Sequence, residues 1–73
     1  MSKVRFARVR GDGITPEIVL RYLPLNYHVV KGEADADSVL ITGQDDAGWG
    51  LDSYVLPRLA SALFFGHEVS NGE

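Results

Sequence analysis

The sequence predicts a single α+β domain in the order β-α-β-β-α: a three-stranded antiparallel sheet with a short helix and a long C-terminal helix packed on it. Three observations point there. The chain has 73 residues and no cysteine, which allows one domain and a thin core without covalent staples. Three short apolar segments, 3–10, 26–31 and 38–42, have strand length and are separated by glycine, proline and acidic residues. From Leu51 to about Phe65 the apolar residues recur at helical spacing. The domain is expected over residues 1–66, with 67–73 a polar C-terminal tail.

Residues 3–10 alternate basic and apolar side chains, as a strand does, but the apolar face changes parity at Ala7, which predicts a bulge or twist there. Gly11-Asp12-Gly13 reads as a turn. Thr15-Pro16-Glu17 then opens a helix, with Thr as N-cap, Pro in the first turn and an acid near the positive end of the helix dipole. Pro24 stops that helix, with Leu23 the expected boundary. Residues 26–31 and 38–42 form a hairpin across a polar connection of about six residues, the second strand buried on both faces. Residues 43–50 make a loop rich in glycine and acid.

The C-terminal helix carries more apolar surface than one face can bury. Leu51, Val55, Leu56, Leu59, Ala62 and Leu63 fall on one arc, the expected core face. Tyr54, Arg58, Ser61 and Phe65 form a second stripe, with Phe64 also outside the core arc. Either Phe64 and Phe65 fold back onto the hairpin, or the second stripe is an interface; Tyr, Phe and Arg are enriched in interface cores. Trp49, between two glycines, is either a lid on the small core or an exposed anchor. Pro57 lacks an N–H and crowds the preceding turn, so either the helix kinks or residues 51–56 form a separate turn.

Catalytic and metal chemistry find no constellation. His28 and His67 are the only histidines and lie 39 positions apart, without a metal-binding spacing. Asp35, Asp37, Asp45 and Asp46 fail the alternation of a calcium loop and read as solvated acids. Ser53, His67 and Asp52 lack a nucleophile elbow. No cofactor, metal or catalytic residue is expected, and the chain is expected not to be an enzyme.

Charge is uneven. Lys3, Arg5, Arg8 and Arg10 give the first ten residues a charge of +4, against −7 for the remainder and −3 for the whole. The basic strand is read as a solvated edge that resists aggregation, as a surface for protein contact, or as a nucleic-acid strand. Net acidity, and the lack of basic residues elsewhere to widen the footprint, weigh against nucleic acid. The N-terminus has no apolar run behind its charges, and the longest apolar stretch near the C-terminus is far below a membrane span, so a cytoplasmic protein without membrane contact is expected.

Two segments resemble known families. Residues 11–18 resemble the N-terminal signature of isopropylmalate and isocitrate dehydrogenases, with Thr15 where a characteristic glycine stands. Those enzymes need several times this length, so only the local geometry carries over: strand, glycine turn, capped helix. Residues 41–63 resemble small uncharacterised proteins of actinobacteria and their bacteriophages. The likeness lies in Ala47-Gly48-Trp49, Leu51-Asp52, Tyr54-Val55 and Pro57-Arg58-Leu59, with Leu25-Asn26-Tyr27 upstream. That family has a threonine where Gly50 stands, a better helix cap. The resemblance implies a small accessory protein, phage- or bacterium-encoded, that works by binding.

The function expected from these readings is a non-enzymatic protein–protein interaction module, a homodimer through its C-terminal helix and acting on a host protein. Its candidate contact residues are Trp49, Tyr54, Arg58, Ser61, Phe64 and Phe65. The alternative is a nucleic-acid-binding protein using Lys3, Arg5, Arg8 and Arg10.

Overall fold

The computed structural model of the chain describes residues 3–33, 37–62 and 66–71. Strand β1 (Val4–Arg10) is followed by helix α1 (Pro16–Leu20) and the hairpin strands β2 (Tyr27–Glu33) and β3 (Ser38–Gln44). A π-helical turn (Leu51–Val55) runs into helix α2 (Leu56–Ala62), and strand β4 (Gly66–Asn71) closes the fold. The architecture is α+β. All strand pairs are antiparallel, in the order β2-β3-β1-β4.

Strand β4 is the main departure from the expected three-stranded sheet. Part of the expected polar tail pairs with β1, from Arg5↔Asn71 to Arg10↔Gly66. β1 is therefore a central strand, between β3 and β4, and not the solvated edge its basic residues suggested. Pairing draws on main-chain N–H and C=O groups, so a segment without an apolar signature can still take the open edge of a strand.

Of the bulge or twist expected at Ala7, no bulge is present. β1 stays in register with β3 from Val4↔Gln44 to Arg10↔Ser38. The bulge lies instead in β2, between Val29 and Lys31, where half-exposed Val30 is the extra residue. The mixed parity of β1 has another cause. Arg5, Ala7 and Val9 share one face with their partners Gly43, Ile41 and Val39, while Val4, Phe6 and Arg8 lie opposite, beside Gln44, Thr42 and Leu40. The first set faces the core, so its charged member, Arg5, sits at the end of the apolar face. β3 is accordingly buried at Val39 and Ile41 and only half-buried at Leu40 and Thr42, not on both faces as expected.

The core is Ala7, Val9, Val39, Ile41 and Tyr27 from the sheet, packed against Ile14 and Val19 and against Leu51, Val55, Leu56 and Leu59. Helix α1 forms as its cap predicts: Thr15 Oγ1 accepts the Ile18 N–H at 3.3 Å, with Pro16 next.

The C-terminal helical segment is shorter than expected, from Leu51 to Ala62, and is not one α-helix. The Val55 N–H bonds Gly50 O at 3.1 Å, and the Leu56 N–H bonds Leu51 O, both spanning five residues. This wider turn immediately precedes Pro57, whose ring crowds the carbonyl one turn back and whose missing N–H leaves a gap in an α-helical ladder. Of the expected core arc, Leu51, Val55, Leu56 and Leu59 are buried and Ala62 is exposed, while Leu63 falls outside the described residues.

Candidate functional site

Two features join where the loop 45–50 meets the start of the helical segment. The first is a polar cluster on Asp45. Arg5 Nη1 donates to Asp45 Oδ2 at 2.7 Å, and Arg5 Nη2 to Asp52 Oδ2 at 3.2 Å. The Tyr27 hydroxyl donates to Asp45 Oδ1. The Leu51 N–H donates to the same oxygen at 2.8 Å. Gly50 offers the helix no side-chain cap. The Asp45 carboxylate, six residues upstream, takes over part of that task at the end where negative charge is favoured.

The electrostatics follow from the geometry. Burial opposes charge on Asp45, but the bonds from Tyr27, Leu51 and Arg5 outweigh it and hold the carboxyl below its usual range. The Tyr27 phenol is pushed well above its ordinary value, by burial first and then by its bond to Asp45. Burial alone would lower the Arg5 pKa; its bonds to Asp52 and Asp45 raise it instead. Arg5 Nε is buried without an acceptor among the described residues. The Tyr27 hydroxyl, the Leu51 N–H and Arg5 converge on the two Asp45 oxygens, so the cluster ties the sheet to the helix start.

Gly43 makes the cluster sterically possible. A Cβ there would lie 2.5 Å from the Tyr27 ring and 2.2 Å from Asn26 O. The ring crosses β3 over this glycine to reach Asp45. Asn26 holds the loop from its other side: Nδ2 donates to Gln44 O at 2.6 Å and to Trp49 O at 3.2 Å. Gly48, at φ +85°, lets the chain turn back before Trp49.

The second feature is an aromatic surface resting on this base. The Trp49 and Tyr54 rings meet edge to face, centroids 4.5 Å apart, and the Arg58 guanidinium carbon lies 5.0 Å from the Tyr54 centroid. On one side of Tyr54 a hollow of about 520 Å³ is lined by Leu23, Pro24, Leu25, Asn26, Asp46 and Trp49. Beside Arg58 a second, of about 370 Å³, is lined by Tyr22, Pro57, Ser61 and Ala62. Leu25 is 98 % exposed and Trp49 46 %. Trp49 is thus not a buried lid: its ring packs on Tyr54 and the rest of it meets solvent.

Of the expected contact residues, Trp49, Tyr54, Arg58 and Ser61 come together on this surface, and Phe64 and Phe65 lie outside the described residues. The basic set is not brought together. Lys3 is exposed, whereas Arg5 points to the opposite face of β1 from Arg8 and is held by two carboxylates with its side chain 16 % exposed. Arg8 and Arg10 lie on the other face, both already engaged in interactions. Asp45, read as a solvated loop acid, is the centre of the polar cluster; Asp35 falls outside the described residues. Sequence reasoning missed Asp45, Tyr27, Asn26 and Leu25. One signal was present: Gly50 cannot cap a helix through a side chain, so an acceptor had to come from elsewhere. No group of three metal-ligating side chains gathers among the described residues, and no helix there is long and apolar enough to cross a membrane.

No protein-family model, curated protein or solved structure matches this chain.

Proposed function

We propose that the chain is a small protein–protein interaction module that self-associates through the surface built by Trp49, Tyr54, Arg58 and Ser61. The observation that carries this reading is the apolar surface left in water: Leu25 and Trp49 are exposed and line one hollow together with Leu23, Pro24 and Tyr54. Large apolar side chains gathered beside a hollow, with Tyr, Trp and Arg among them, have the make-up of an interface core. A 73-residue chain without disulfides also gains stability from a second copy. The resemblance of residues 41–63 to small actinobacterial and phage proteins supports an accessory role, exerted on a host protein by binding.

Native mass spectrometry together with a sedimentation velocity concentration series tests this. A species at twice the chain mass, lost in Trp49→Ala with Tyr54→Ala, is expected. A monomer at every concentration overturns it. The nucleic-acid alternative is less favoured, because the Arg5 charge is already spent on Asp45 and Asp52. Binding of DNA or RNA that falls steeply with salt would restore it.

A further inference from the structure

The two edges of the sheet differ. β2, at one edge, is interrupted by the bulge between Val29 and Lys31, and Lys31 is exposed there. A bulge and a lysine both blunt an edge against further pairing. β4, at the other edge, runs opposite β1 from Gly66 to Asn71 without a register shift and holds neither proline nor lysine. The direction of its main-chain groups follows from two bonds at the ends of β1. The Asp45 N–H donates to Lys3 O and the Gly11 N–H to Asp37 O, each at 3.0 Å, and both continue the β1–β3 register. Opposite residues of an antiparallel ladder alternate between exchanging both bonds and exchanging none. Arg5, Ala7 and Val9 therefore bond to β3, while Phe6, Arg8 and Arg10 turn their main-chain groups to Ser70, Glu68 and Gly66 of β4. The N–H and C=O groups of His67, Val69 and Asn71 are left pointing away from the sheet, and no strand among the described residues takes them up.

We infer that β4 pairs antiparallel with β4 of a second copy, Val69 opposite Val69 on the two-fold axis, so that one sheet runs through both copies. This goes beyond the self-association proposed above and uses a different part of the chain. An open, regular edge is a template for another strand. An antiparallel pair of identical strands is related by a two-fold rotation, so a second copy presents the same edge with its donors and acceptors at matching spacing. The register centred on Val69 sets His67 opposite Asn71 at each end, and every outward group finds a partner. A register centred on Glu68 leaves the outward groups of Asn71 unpaired. Main-chain bonds made in exchange for bonds to water contribute little each. The pairing therefore sets in at higher concentration than the aromatic contact and joins dimers into larger species.

The test reads amide hydrogen exchange and mass in the full chain across a concentration series. In the wild type the amides of His67, Val69 and Asn71 should slow as concentration rises, while those of Glu68 and Ser70, bonded to β1, should be protected throughout. Species of four copies or more should appear over the same range. Val69→Pro removes an N–H that β1 does not use, so the fold should stand. The concentration needed for the larger species should rise about tenfold or more. Circular dichroism checks folding, and the wild-type amide pattern decides the matter if the proline variant unfolds. Larger species that form equally well in Val69→Pro overturn the pairing, as does a wild type that stops at the dimer with no change in the three amides. Protection of those amides even in dilute solution overturns it too, because a segment of the same chain would then cover the edge. All three results leave the aromatic contact standing. If instead Trp49→Ala with Tyr54→Ala assembles as the wild type does, and Val69→Pro abolishes that assembly, the edge pairing stands and the aromatic contact falls.

Discussion

Arg5 and Asp45, 40 positions apart in the chain, form an ion pair of 2.7 Å at the end of the sheet's apolar face. The pair joins the first strand to the loop that starts the C-terminal helical segment, and Tyr27 and Leu51 share its carboxylate. Three consequences concern this cluster and two the surface built on it.

Asp45→Ala removes one carboxylate that serves three donors, leaving Arg5 with only the longer bond to exposed Asp52. A loss of about 2–4 kcal/mol is expected, from uncompensated charge and unpaired donors. For a domain this small that is roughly 8–30 °C in melting temperature. Urea unfolding checks it, and a variant within about 0.5 kcal/mol of wild type would show the cluster to be marginal.

The same group sets the acid limb of stability. Its folded pKa lies below the ordinary aspartate value of 3.8, so its contribution is fully present above that value and is lost as pH falls through the folded pKa. Asp45→Asn should flatten stability against pH below about 4. Tyr27 acts at the other limb. Its folded pKa is raised, so its contribution is present below the ordinary tyrosine value of 10.0 and fades as pH climbs above it. Tyr27→Phe should flatten the alkaline limb. Denaturant midpoints from pH 2 to 11 measure both.

Gly43→Ala should destabilise by about 1–3 kcal/mol, because the added methyl meets the Tyr27 ring and Asn26 O. In a Tyr27→Ala background the ring part of that clash is gone, so the cost should shrink. A double-mutant cycle reads the coupling; additive costs would mean the ring does not depend on the glycine.

Asn26→Ala removes the donor that ties Gln44 O to Trp49 O. The expected cost is about 1–2 kcal/mol. Fluorescence of Trp49, the sole tryptophan, should become more accessible to iodide at constant chain concentration. Unchanged quenching would mean that the Tyr54 contact alone holds the indole.

Trp49 also reports the proposed assembly. Its emission in the wild type should shift to the blue and its iodide quenching should fall as concentration rises through the self-association range. In Leu25→Ser both changes should need higher concentration. Emission that is independent of concentration while the mass doubles would place the interface elsewhere.

The sequence by itself determined the α+β class, the capped start at Thr15, the hairpin, and the buried set Leu51, Val55, Leu56 and Leu59. Each follows from local periodicity and capping chemistry, which act over a few residues. It also indicated that Pro57 disturbs the helix, and it named Trp49, Tyr54, Arg58 and Ser61, which the fold does bring together. Tertiary structure alone decided the rest. β4 has no apolar signature, because strand pairing uses the main chain and the vacant edge of β1 lies far away in sequence. Arg5 occupies a core-facing position because Asp45 and Asp52, forty or more residues on, neutralise it. Asp45 reads as a solvated acid until Tyr27, Arg5 and the Leu51 N–H converge on it, and convergence of residues distant in the chain leaves no periodic trace.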